Sequence, residues 1–545
     1  MSDYLFFGSR TKRFLILDST KIELVGTSAP GDFFDGIGVF DGSLCRSPAV
    51  PRADAWQGRG NYMIARHKAD GSADISTDPL GQYPLYIYNQ RNVFCVSNNI
   101  YLLVEALKRN EIYLKRSIDV FGYFVTQGSG ALDCTGYDEV KLLEVGSRIS
   151  VTKDLRLTLE KVDAPSLLYS DRPYRELLDE AASEILGNVR ALSGGDFRFR
   201  ICDLTGGMDS RTVLAAILNL GERDRFMFHT TGGRDSPDVN VAEFLRQEFG
   251  LASARGKVAT LMPASPFEEL CRTVARVGGL FSMNYVVGRY DEENSNDLSF
   301  GGGLGELMRH FWPSRPAGGE LNTPLQSIVS TMQKRSGVLR KTVAHRQQRD
   351  IAQFGIDAVS SGIRPEHAGH FLYLKARTRY HFGVWWAASA RRKFHPLYSP
   401  SAIKAAFALP DEERINNRVG FDLMNLLCPR LTDIPFAENS WSPLLHSHPP
   451  APVTEGSLLK NRAESSVKVK NANANRRATV KEIVEDFQAR DRNFETLSSV
   501  FDVEETRKVI VQAKGPRVSA RTEATACRIL GAYAWLKELD LPFRI

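Results

Sequence analysis

Through about the first 160 residues, short apolar runs alternate with turn residues. FLILDS, YMIARH, ADISTD, LYIYN and VFCVSN are each apolar or alternating, and Gly, Asp and Asn separate them. A period of two predicts strands, so this part reads as β-rich. From Pro173 the period changes. YRELLDEAASEILGNVRAL has the spacing of an amphipathic helix. FRFRICDL reads as a strand, TVLAAILNLG as a helix closed by Gly221, RFMFHTT as a strand and VNVAEFLRQEFG as a helix. Strand alternating with helix predicts a parallel sheet with crossovers. From about Pro324 to Leu445 the spacing is mostly helical. Residues 446–478 break it: HSHPPAPVTEG is rich in proline, and LLKNRAESSVKVKNANANRR is polar and basic. They read as a mobile segment. Helical spacing returns from about Thr479.

Composition narrows the class. The chain has 545 residues, 43% hydrophobic and 25% charged, which fits an ordinary globular protein of two or three domains. A net charge of +6 permits an anionic ligand without arguing for nucleic acid, and a basic loop such as 460–477 is usually just solvated. Seven scattered cysteines without a CxxC read as reduced thiols, not a disulfide framework or a zinc site. MSDYLFFGSRTKRFLIL has no long apolar run, so a cytoplasmic location without a membrane partner is expected.

The stretch ICDLTGGMDSRTVLAAIL, from Ile201, carries the candidate chemistry. In an open parallel sheet, ligands lie beyond the carboxyl ends of the strands. A turn there that enters a helix exposes amides with no internal partner, and the helix dipole adds positive potential. Gly206 and Gly207 allow phosphate oxygens to approach the main chain, and Thr205 and Ser210 offer hydroxyls. Asp209 repels phosphate unless a Mg²⁺ lies between them. Taken alone, Thr-Gly-Gly-Met-Asp-Ser reads equally as a tight turn.

Its surroundings add to this. The turn resembles the SGGxDS pyrophosphate loop of the N-type ATP pyrophosphatases (PP-loop proteins), in the variant of class B asparagine synthetases. HTTGGRDSPDVNVAEFLRQEFG, with its Ser236–Asp238, resembles that family's second strand and following helix. LSFGGGLGELMRHFW at 298–312 falls where the family has SGxGxDELFGGY, and ARRKFHPLYSPSAIKAAFALPDEERI at 390–415 resembles its "R-x-PFLD" helix region. ADISTDPLGQYPLYIYNQRNVFCVSNNIYLLVEAL at 73–107, and LLEVGSRISV near 142, are similar to its glutaminase domain.

The resemblance implies an α/β fold plus a β-rich domain. Residues 1–165 would form a degenerate Ntn-hydrolase-like αββα glutaminase-type domain. Residues 166–545 would form a PP-loop parallel-sheet synthetase domain with extra helices. It implies ATP and Mg²⁺ as cofactors. Leu204 and Thr231 would meet adenine through backbone groups, and Phe300 and Gly301 would line the other side. Thr205, Gly206, Gly207, Asp209 and Ser210 would cradle the phosphates. Asp209 and Glu306 would hold the metal, with Glu306 and Arg211 as catalytic candidates. The acid and amine substrates, small molecules or peptides, would lie between the sheet and residues 370–440, near His381, Trp385, Arg391 and Arg392. Trp385 and Trp386 also read as core, and Arg391 and Arg392 as surface ion pairs. The family allows a homodimer.

Departures from the family shape the expected function. Ser2 stands where the glutaminase nucleophile is a cysteine, so glutamine hydrolysis is not expected. Gly305 stands where the family carries a metal-binding Asp, and Gly302 where relatives carry Glu or Tyr. IPFAENSW at 434–441 lacks the family's lysine, which leaves Lys460 or Arg211 as substitutes. Arg211 also reads as an ion-pairing residue at the helix start. The leading expectation is ATP-dependent amide-bond formation through an acyl-adenylate, releasing AMP and pyrophosphate without glutamine, as in β-lactam synthetases and lasso-peptide cyclases. The alternatives are a nucleotide-binding pseudo-enzyme and a glutamine-dependent amidotransferase.

Overall fold

The computed structural model describes residues 5–9, 12–16, 32–47, 49–90, 93–117, 119–154, 156–232, 236–254, 278, 296–310, 324–383, 392–437, 440–445, 484–485, 488–489, 498–513, 515 and 519–538. The Pro-rich and basic stretch from 446, together with Ser2, Trp385, Trp386, Arg391 and Lys460, lies outside them.

The molecule is mixed α/β, with antiparallel sheets first and a parallel sheet later. The strands of the first part are β1 (Leu5–Ser9), β2 (Lys12–Ile16), β3 (Phe33–Phe40), β4 (Ser43–Arg46), β5 (Arg59–His67), β6 (Ala73–Thr77), β7 (Tyr86–Gln90), β8 (Val93–Ser97), β9 (Val140–Leu142), β10 (Ser147–Val151) and β11 (Leu157–Lys161). They form two antiparallel sheets, ordered β2-β1-β8-β7-β9 and β11-β10-β6-β5-β3-β4. Period-two alternation assigns their faces. Ile87, Phe94 and Val96 share one buried core with Ile37, Met63, Ala65 and Ile75 of the other sheet. Tyr86, Tyr88 and Cys95 point the opposite way, onto α1 (Ile100–Arg109) and α2 (Asp119–Gln127). The six cysteines among the described residues are all free.

The later part begins with α3 (Tyr174–Gly194), whose Leu177, Ala181, Ile185, Val189 and Leu192 form a buried stripe at helical spacing. Then come β12 (Arg200–Asp203), α4 (Met208–Asn219), β13 (Met227–His229), α5 (Pro237–Phe249), β14 (Leu298–Phe300) and β15 (Arg392–Phe394). The four strands are parallel in the order β13-β12-β14-β15. Gly221 ends α4 at φ +67°, a left-handed value that glycine adopts without strain. β15 corrects the helical reading of 390–415: Arg392–Phe394 is a short strand, and the helix begins only at Pro400. Three residues are too few for periodicity to reveal.

The two parts are joined by buried polar groups. Asn188 on α3 accepts from Arg59 and donates to the carbonyls of Pro396 and Tyr398. The Tyr398 hydroxyl donates to Asp78 Oδ1 at 2.8 Å and accepts from the Leu80 amide at 2.7 Å. Asp78 also accepts from the Gln82 and Tyr83 amides. Burial pushes its carboxyl up to about 7 against the pull of these donors. Tyr398→Phe leaves a buried amide and a buried carboxyl oxygen each short of a partner. It is expected to cost about 1–3 kcal/mol in urea unfolding.

Candidate functional site

Strand β12 delivers the chain to a corner held from three sides. The Leu204 amide donates to the His229 carbonyl at 2.8 Å, and the Thr230 hydroxyl donates to the Leu204 carbonyl at 2.6 Å. Within the turn, the Thr205 amide donates to Ser210 Oγ at 3.1 Å, and the Gly207 amide donates to Thr205 Oγ1 at 3.1 Å. The Gly206 amide donates to Asp238 Oδ1 at 2.9 Å, and the Gly206 carbonyl accepts from the Ala437 amide at 3.1 Å. A Cβ at Gly206 would lie 2.4 Å from that of Ala437. Thr205, Gly206 and Gly207 therefore spend their amides inside the protein. No side chain caps α4. Its first turn is the part of the corner suited to an anion.

The loop after β14 lies directly on this helix start. A Cβ at Gly302 would fall 2.5 Å from the Asp209 carbonyl carbon and 2.5 Å from the Ser210 amide nitrogen. A Cβ at Gly305 would fall 2.5 Å from Asp209 Cγ, and one at Gly303 would fall 2.3 Å from His395 Nδ1. At Gly302 two backbones meet, while Gly303 and Gly305 leave room for the His395 and Asp209 side chains. Leu304 takes φ +75°, a strained value for a side-chain-bearing residue.

Arg309 and Glu306 follow. Arg309 Nη2 donates to Asp209 Oδ2 at 2.7 Å. Glu306 Oε2 is buried without a hydrogen-bond partner. Burial, then the neighbouring Asp209 charge, raises the Glu306 carboxyl, while Arg309 and Arg377 pull the other way. Tyr373 and Arg377 bound a π-helical stretch, Tyr373–Arg377, a rare geometry that recurs at functional sites.

A second polar group escaped the sequence reading. Each parallel strand contributes one side chain near its carboxyl end: Asp203 from β12, His229 from β13, Ser299 from β14 and Lys393 from β15. Lys393 Nζ donates to Ser299 Oγ at 2.8 Å and lies 3.7 Å from Asp203 Oδ2, and His229 Nδ1 lies 3.5 Å from Asp203 Oδ1. Burial would raise the Asp203 carboxyl, but Lys393 and the His229 hydrogen bond outweigh it and lower it. Lys393→Met is expected to raise the Asp203 pKa, read from its carboxyl carbon shift by NMR. Only a recognised fourth strand would have drawn Lys393 to notice.

The structure brings Thr205, Gly206, Gly207, Asp209, Ser210, Gly301 and Glu306 to one place. Thr231 is exposed at the end of β13. The Leu204 and Phe300 side chains are core: both are fully buried, and the Phe300 ring packs edge-on against Phe226 at 5.3 Å. Only their backbones can face a ligand. Arg211 is not at the mouth. Its guanidinium is fully buried and donates to the carbonyls of Leu431, Ile434 and Pro435. A catalytic or ion-pairing Arg211 is therefore replaced by one that holds the 431–437 loop. Arg392 lies in β15, and burial pushes the His381 imidazole down to about 4.

Beside Arg309 lies a buried histidine cluster. The His310 and His370 rings meet edge-to-face at 4.6 Å, and His367 Nε2 lies 3.5 Å from Asp411 Oδ1. Burial, reinforced by Arg414, pushes His310 down to about 4 and His370 well below its ordinary value. A lowered histidine favours the fold only while neutral. This contribution is therefore complete above about pH 6.5 and is lost as the pH falls through about 4. The urea midpoint is expected to drop between pH 7 and pH 5, and a His310→Gln, His370→Gln double variant to flatten that slope.

The donor set does not fit the Mg²⁺ expected between Asp209 and Glu306. Asp209 already holds a guanidinium, and residue 305 is a glycine that supplies no carboxylate. No cluster of three or more His, Cys, Asp or Glu suited to a metal occurs among the described residues. In comparison with known proteins, the chain matches no family model and no curated protein.

Proposed function

We propose that the chain is an ATP-dependent, AMP-forming amide-bond enzyme of the asparagine synthetase-like kind, working without glutamine. One observation carries this reading. A Thr-Gly-Gly-Met-Asp-Ser corner closes the strand β12 of a parallel sheet and opens an uncapped twelve-residue helix, with a second glycine loop packed on its first turn. Such a helix start is suited to a departing pyrophosphate, whose charge grows as the α-phosphorus is attacked. The substrate carboxylate would attack that phosphorus. An amine would then take the acyl group and release AMP. The acid and amine, small molecules or parts of a peptide, would sit over the strand ends beside Asp203, His229 and Lys393.

The two antiparallel sheets agree with a glutaminase-type domain, and Ser2 in place of cysteine agrees with lost glutamine chemistry. No described helix is long and apolar enough to cross a membrane. A second reading, a nucleotide-binding chain without turnover, is favoured by the closed corner: Asp238 occupies the Gly206 amide and Arg309 occupies Asp209.

ATP–pyrophosphate exchange in the presence of candidate acids, beside calorimetric titration with ATP, separates the two. The ligase reading expects exchange and no release of glutamate from glutamine. Binding without exchange across acids that include peptides would support the second reading. Absence of ATP binding would end both.

A further inference from the structure

An anion seated on the first turn of α4 would face the Asp209 carboxylate on the same turn. Two like charges at that range repel strongly in a partly buried site, so a cation must lie between them. The protein has one in place. Arg309 Nη2 donates to Asp209 Oδ2 at 2.7 Å, with the two side chains 30% and 23% exposed. A guanidinium has five N–H donors in a planar fork, so one bond to Asp209 leaves others to give. Arg309 Nε is buried and has no acceptor. Glu306, partly buried with its Oε2 enclosed and unpartnered, adds a second carboxyl group to the same small volume. Asp238 adds a third at Gly206. A corner this acidic cannot take phosphate unaided. Nor does residue 305 help to seat a metal: it is a glycine, and a Cβ there would lie 2.5 Å from Asp209 Cγ, so any side chain at that position displaces either Asp209 or the loop.

We propose that Arg309 is the resident cation of this corner, standing between Asp209 and a bound phosphate group, so that the anion is taken without a divalent ion. The inference rests on the nucleotide reading above and deepens it. Asp209 acts as a positioning residue: it aims the guanidinium, and Arg309 meets the phosphate oxygens.

The test is calorimetric titration of the full chain with ATP, in buffer with EDTA and in buffer with Mg²⁺. The wild type is expected to bind with dissociation constants that agree within about threefold in the two buffers. Arg309→Ala is expected to weaken binding in EDTA by about tenfold or more. Mg²⁺ should recover part of that loss, because Asp209 is then free to take the ion. Arg309→Lys keeps the charge but loses the fork, and should fall between the two in EDTA. It serves as the second variant if Arg309→Ala does not fold, as judged by its thermal transition. Wild-type binding that requires Mg²⁺ overturns the inference and leaves the nucleotide reading standing. So does an Arg309 variant that binds like the wild type in EDTA. No ATP binding by the wild type in either buffer overturns the nucleotide reading, and this inference with it.

Discussion

Gly302→Ala is expected to lower ATP–pyrophosphate exchange by about 10²-fold, because a small displacement of reacting groups costs that much. It is also expected to cost about 1–3 kcal/mol of stability in urea unfolding, the usual penalty for overpacking. The added methyl would sit 2.5 Å from the Asp209 carbonyl carbon and the Ser210 amide nitrogen. Both are backbone atoms in the first turn of a helix, where neither can rotate aside. The 301–305 loop must lift, or the start of α4 must shift, and either movement spoils the surface that meets a phosphate. Gly337→Ala is the control, since its added Cβ would meet nothing within 4 Å. It should be silent in both assays. Exchange in Gly302→Ala at the wild-type rate would show that the contact between loop and helix does not form the site.

Long apolar periods were legible in the chain, and short or tertiary features were not. β5, β6, β7 and β8 fall on runs read from alternation alone, and α3, α4 and α5 on helical spacing. β3 was missed because Phe33–Phe40 carries glycines at two positions, which breaks the pattern of a strand that is almost wholly buried. α1 and α2 were missed because they interrupt a region otherwise rich in strands. At the site, local chemistry was readable: strand, two glycines, aspartate, helix. What fills the space around Asp209 was not. Gly305 reads from sequence as a lost carboxylate, but the structure shows that the lost side chain is volume given to Asp209. Arg309 stands four residues after it, and nothing in its spacing says that it turns back onto a residue one hundred positions earlier. Lys393 belongs to the same class, since a three-residue strand carries no period to detect.

Arg211 shows how far a position beside a site can differ from a position in it, and its removal is expected to have the largest effect on stability. The guanidinium is fully buried, stacks 4.0 Å over Phe436 and donates to Pro435 O at 2.8 Å and to the carbonyls of Ile434 and Leu431. Burial pushes its pKa down to about 9, so the charge is held at a cost that the carbonyl dipoles and the aromatic face offset. Arg211→Ala would leave three carbonyls without a donor and a cavity the length of an arginine. The expected loss is about 3–5 kcal/mol, measured by urea unfolding. Arg211→Lys should recover little, because one ammonium cannot span three divergent acceptors. The effect should reach the corner through the chain. The 431–437 loop ends on Ala437, whose amide holds the Gly206 carbonyl at 3.1 Å, so loosening the loop frees the turn that α4 starts from. Nucleotide binding should therefore weaken in Arg211→Ala under conditions where the variant is still folded. Unchanged stability would mean that the loop is held by something other than this arginine. A stability loss with unchanged binding would mean that Ala437 does not shape the corner.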